Sequence, residues 1–177
     1  GWGLRGGERR VGAAAPHGAT VRANLASADI SGRGRYSEVD VKVASGDVEF
    51  EEVTGQAGVN SASGDVDLEQ VGTAKVNSAS GDVKIEESAK GADVNTASGD
   101  VAIDSVVSGD VRINSASGDI EVGIATGSRL LVDAQTLSGD TSSELDLESG
   151  GAAETDEGPL VELKARSMSG DISVKRA

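Results

Sequence analysis

The sequence predicts an all-β fold: a single-chain β-solenoid (β-helix) with about 18 residues and two short strands per coil. Three observations predict it. The tripeptide Ser-Gly-Asp recurs along the chain at near-constant spacing. Between its copies apolar and polar residues alternate with a period of two, as in strands that bury one face. The 177 residues also include 25 glycines but only three aromatics, Trp2, Tyr36 and Phe50. An interior so poor in rings must be thin and lined by small or β-branched side chains, which suits two closely spaced sheet faces.

The first segment, residues 1–18, reads as a loop or an incomplete N-terminal coil. It is rich in Gly and Arg and holds the turn signal Pro16-His17-Gly18. His17, the single histidine, sits in that turn and reads as a surface residue. From Ala19 the pattern becomes strand-like, with Val21, Ala23 and Leu25 alternating with Thr20, Arg22 and Asn24. Ser31-Gly32-Arg33 reads as a degenerate first corner. Val39, Val41 and Val43 then lead into the first full one.

The corners fall at Ser45-Gly46-Asp47, Ser63-Gly64-Asp65, Ser80-Gly81-Asp82, Ser98-Gly99-Asp100, Ser108-Gly109-Asp110 and Ser117-Gly118-Asp119, then at Ser138-Gly139-Asp140 and Ser169-Gly170-Asp171. The first intervals are 18, 17, 18 and 19 residues, the last of them split by Ser108 into 10 and 9. A period in this range marks stacked repeats, because one coil cannot bury its own apolar face. Glycine at a corner permits a positive φ, and Asp and Ser bond to nearby backbone.

Each coil has one strand after its corner, such as Val66-Asp67-Leu68 or Val83-Lys84-Ile85. A second precedes the next corner, such as Ala57-Gly58-Val59-Asn60-Ser61 or Ala74-Lys75-Val76-Asn77-Ser78. The second strand turns Ala, Val and Ser or Thr inward and Asn outward. Seven or so coils make a rod roughly 35 Å long at about 4.8 Å per coil. The last intervals widen. Residues 148–159 read as an acidic Gly/Pro loop, and Ile172 and Val174 form the final strand. The domain division is thus residues 1–18, then a solenoid over 19–177.

The repeated phrase Val59-Asn60-Ser61-Ala62-Ser63-Gly64-Asp65-Val66, with the closing run from Leu163 to Val174, resembles a bacterial family. This is the β-strand-repeat family of adhesin-labelled proteins also called toastrack domains, and the acidic loop is similar to that of actinobacterial members. The resemblance covers roughly residues 19–177 and implies a β-helix without known catalytic residues, linked in some members to the cell envelope.

The net charge is −14, and residues 43–158 alone carry −19. Such a body repels phosphate backbones, which excludes a nucleic-acid partner. No run is long and apolar enough to span a membrane. Cysteine is absent, so disulfides and thiolate metal sites are excluded. With one His and no Cys there is no Ser/His/Asp set, so no catalytic residue and no cofactor is assigned. Polysaccharide cleavage would need aromatic or basic residues around a groove, and ice binding would need more Thr. The metal candidates are the corner carboxylates Asp100, Asp110 and Asp119, the one interval with corners at both half-units. They lack the paired glycines of calcium-binding repeats and the six or more oxygens that calcium takes. The expected function is a non-catalytic structural or interaction module that presents a rigid acidic surface to a protein or cell-envelope partner. The alternatives are a self-associating rod and a calcium-binding repeat. The compartment leans to the cell envelope or outside the cell, with the cytoplasm as the alternative.

Overall fold

A computed structural model describes residues 10–14, 18–143 and 158–177. Among them every regular element is a strand: β1 Arg10–Ala14, β2 Ala19–Ser27, β3 Asp29–Ser45, β4 Val48–Ser63, β5 Val66–Ser80, β6 Val83–Ser88 and β7 Gly91–Ser98. There follow β8 Val101–Val106, β9 Gly109–Ser117, β10 Ile120–Ile124, β11 Arg129–Thr136, β12 Thr141–Ser143, β13 Leu160–Ser169 and β14 Ile172–Arg176. All pair in parallel, and the chain winds as a β-solenoid of about six regular turns of about 18 residues. Two further coils depart from sequential order.

The two strands predicted per coil are visible, but in β3, β4 and β5 pairing continues through the bend that joins them, so each is one strand of 15 to 17 residues. The bend survives as a register shift, for example between Val53 and Gln56. Residues 1–18, read as a loop or an incomplete N-terminal coil, contain β1, which pairs with the start of β3 from Arg10↔Asp29 to Ala14↔Arg33. Of the acidic loop assigned to 148–159, residues 148–157 lie outside the described residues.

Two faces enclose the core. One is built from the strands that follow the Ser-Gly-Asp corners and the other from those that precede them. On the first, Ile30, Val48, Val66, Val83, Val101, Ile120 and Ile172 stack in register. On the second, Val41, Val59, Val76, Val94 and Ile113 do so. All are buried. Burying side chains of this size stabilises by about 1.5–3 kcal/mol each. The two internal aromatics fit by local subtraction. Phe50 stacks on Gly32, where a Cβ would collide with its ring, and meets Tyr36 edge-on at 5.5 Å. Ser31-Gly32-Arg33 is therefore inside β3 and no corner. The first corner is Ser27-Ala28-Asp29, which was hidden because alanine replaces the glycine.

The C-terminal coils are interleaved. β13 lies between β9 and β11, and β14 between β10 and β12. Among the described residues the last coil in sequence is thus the next to last in space, and the β11–β12 coil forms the end of the stack. Burial explains the order. Val161, Leu163, Ala165, Ile172 and Val174 are at most 1% exposed, whereas Leu130, Val132 and Ala134 are half-buried. On the other face of the end coil Thr141 and Ser143 occupy the rows of Ile172 and Val174.

Candidate functional site: the corner ladder and the two outer faces

The Ser-Gly-Asp corners form a continuous edge. At Gly64 φ is +123°, and a Cβ there would fall on the Gly46 carbonyl oxygen. Glycine therefore serves both the backbone conformation and the coil spacing. Beside it runs an aspartate ladder. The Oδ1 of Asp29 accepts from the backbone N–H of Asp47, and Asp47, Asp65, Asp82 and Asp100 accept in turn from Asp65, Asp82, Asp100 and Asp119, at 2.9–3.1 Å. The ladder then follows the interleaved order: Asp119 accepts from Asp171 at 2.9 Å, and Asp171 from Asp140 at 2.8 Å. These carboxylates are engaged with backbone donors, and such charge-assisted bonds offset the repulsion of stacked like charges.

Ser108-Gly109-Asp110 is not on this edge. Gly91 pairs with Asp110, and Ser108 Oγ donates to the Ala89 carbonyl at 2.7 Å, which places the tripeptide at the opposite bend. The three calcium candidates are thus divided: Asp100 and Asp119 are consecutive ladder rungs, and Asp110 is across the coil. Among the described residues no three of His, Cys, Asp and Glu are grouped to hold a metal ion.

The face after the corners is acidic. Glu51, Glu69, Glu86 and Asp104 occupy one outer column on successive coils, about 4.8 Å apart. Glu49 and Asp67 stack beside them. Lys84 bonds Glu86 at 3.1 Å. Burial pushes the Asp67 carboxyl above its ordinary value; Lys84 opposes this, and Glu86, Glu49 and Asp104 add to it. Asp67 Oδ1 is buried with no protein partner. Glu69 is raised by desolvation and then by Glu86, Glu51, Asp67 and Glu49.

The face before the corners is an amide face. Asn60, Asn77, Asn95 and Asn114 stack, each Nδ2 donating to the Oδ1 of the one before at 3.0–3.2 Å. Two residues on, a second column runs Ala26, Ala44, Ala62, Ala79, Ala97 and Ala116, then Met168 and Leu137. Met168 and Leu137 are 60% and 83% exposed. Between the two columns runs a trough of about 1510 Å³ lined by no carboxylate, in a chain with 30 acidic residues. Beneath its floor the inward hydroxyls of Ser61, Ser78, Ser115 and Ser167 are buried without a protein partner. The outward Asn row was legible in the sequence. The alanine column becomes visible only when the Asn-Ser-Ala-Ser-Gly-Asp phrases are aligned.

Among the described residues no helix is long and apolar enough to cross a membrane. A family described as Toastrack DUF4097 matches residues 16–175. No curated protein and no solved structure matches the chain.

Proposed function

The chain belongs to the Toastrack DUF4097 family, and from that premise we propose that it is a non-catalytic scaffold that docks a basic protein surface on its acidic face. The toastrack β-solenoid is not a known enzyme fold. The observation that carries the reading is the column Glu51, Glu69, Glu86 and Asp104, a row of carboxylates on a rigid sheet at regular spacing. Stacked like charges cost free energy in the isolated protein. A cationic partner relieves that cost, steers encounter and gains most at low salt. An envelope protein with a basic surface is one such partner.

Titration of a lysine-rich peptide tests this. The chain binds it at low salt and loses it at high salt, and Glu51→Lys with Glu69→Lys abolishes the binding. Equal binding by the double variant rejects the acidic face as the docking surface.

A second reading, an end-to-end rod, draws on the terminal coil. Among the described residues β11 pairs only with β13, and its inward row is half-buried. Such an edge accepts further strands. Light scattering that shows mass growing with concentration beyond twice that of the chain supports the rod, and a mass that stops at the dimer or below excludes it.

A further inference from the structure

We propose that the amide face is the interface of a closed homodimer, two copies packed face to face about a two-fold axis parallel to the strands. The inference is independent of the acidic-face reading. Such an axis lays the first strand of the face on the last of the second copy, the second on the seventh, and so on inward. In stacking order the strands are β2, β3, β4, β5, β7, β9, β13 and β11.

Opposite outward charges outnumber like ones under that operation. In the row of Asp40, Arg22 of β2 would face Asp133 of β11. Where β3 lies on β13, Asp40 would meet Lys164, whereas Glu38 would meet Glu162 and Lys42 would meet Arg166. The β4 stretch from Gln56 to Asn60 is neutral, and on β9 Asp110 and Arg112 cancel. Lys75 of β5 would meet Asp93 of β7. Over these rows three facing positions join opposite charges and two join like charges, and each pair of strands is neutral in sum.

Shape agrees with charge. At Gly58 a hollow of about 300 Å³ is lined by Glu38, Asp40, Gln56 and Lys75 among others. Nothing within the chain calls for glycine there, because an added Cβ would meet no atom closer than 3.6 Å. The operation brings Arg112 of the second copy over this hollow, with the Asp40 and Glu38 carboxylates at its wall. Along the corner edge it sets exposed Met168 and Leu137 over Ala44 and Ala26, large residues on small ones. The face spans eight strands at about 4.8 Å and about six residue steps at roughly 3.3 Å, or roughly 750 Å² per copy. Stable interfaces bury about 800 Å² per partner. The closed contact is isologous and leaves two acidic faces pointing outward.

Sedimentation of the intact chain at about 100 µM, with a cross-linking arm, tests the proposal. The expected mass is twice that of the chain, and Arg112→Glu weakens the dimer about tenfold or more by setting like charges at the hollow. The chain has no cysteine, so Ala79→Cys in one tagged copy and Ala97→Cys in another report the register directly. Mild oxidation links the two, whereas Ala102→Cys on the acidic face does not link to itself. Circular dichroism confirms that each variant is folded. A monomer, a dimer unaffected by Arg112→Glu, or failure of the Ala79→Cys and Ala97→Cys copies to link overturns the proposal.

Discussion

The Asp100 carboxylate accepts a hydrogen bond from the backbone N–H of Asp119, 2.9 Å away and one coil further on. The same bond joins Asp119 to Asp171 although 52 residues separate them in sequence. One repeated side chain therefore fastens each coil to its neighbour in space, whichever segment of the chain supplies that neighbour.

Removing one rung separates acceptor from charge. Asp100→Ala leaves the Asp119 N–H to water at an exposed edge and costs about 1 kcal/mol. For a chain of this size that lowers Tm by about 2–4 °C. Asp100→Asn keeps an acceptor oxygen and loses less. Thermal melts of the two variants beside the parent check the order, and equal losses would show that the carboxylate charge, not the bond, is what matters.

Glycine substitutions divide by position. Gly81→Ala strains a residue at φ +120° and drives a Cβ into the Gly64 carbonyl, a cost of roughly 2–4 kcal/mol. Gly58→Ala makes only ordinary van der Waals contacts, without such a φ, so it leaves monomer stability unchanged or raises it by about 0.5 kcal/mol through the unfolded chain. Denaturant midpoints measure both, and a Gly81→Ala protein as stable as the parent contradicts the stacking account.

Acidification should first stabilise the acidic face. The folded-state values of Asp67 and Glu69 are raised above the ordinary 3.8 and 4.5. The folded chain then holds protons that the unfolded chain has released, so stability falls as pH rises from those ordinary values through the raised ones. Below the ordinary values the penalty is absent. Asp67→Asn accordingly raises Tm at pH 7, and its advantage shrinks as pH falls toward about 4. Melting curves from pH 4 to 7 test the sign: an advantage that is constant across this range excludes titration of Asp67 as its source.

Position in the stack, not in the sequence, sets local stability. Leu163 is fully buried in β13, and Leu163→Ala costs about 2–5 kcal/mol. Leu130→Ala, in the half-buried end coil, costs less. Backbone amides of β11 exchange faster than those of β13, though β13 is nearer the C-terminus, because local opening starts at the end of the stack. Hydrogen exchange resolved by segment checks this, and the reverse order of protection would contradict the interleaved topology.

The sequence by itself determined the solenoid, its turn length, most of the corners and the residues that face inward. These are local matters: a period of two fixes which side chain points in, and a glycine followed by aspartate fixes where the chain bends. The tertiary structure decided which coil stacks on which. Spacing alone put the β11–β12 coil next to β9–β10, yet the more apolar β13–β14 coil occupies that place, because interior positions bury both of a coil's flanks and end positions only one. A hint lay in Thr141 and Ser143, polar where every earlier coil is apolar or glycine. Ala28 concealed the first corner, and the tripeptide at Ser108 imitated a corner at the opposite bend. The acidic columns and the alanine row belong to the same class of information. Each residue is unremarkable along the chain, and only the register of stacked coils, set by burial and by the aspartate ladder together, brings Glu51, Glu69 and Glu86 or Ala79 and Ala97 into line.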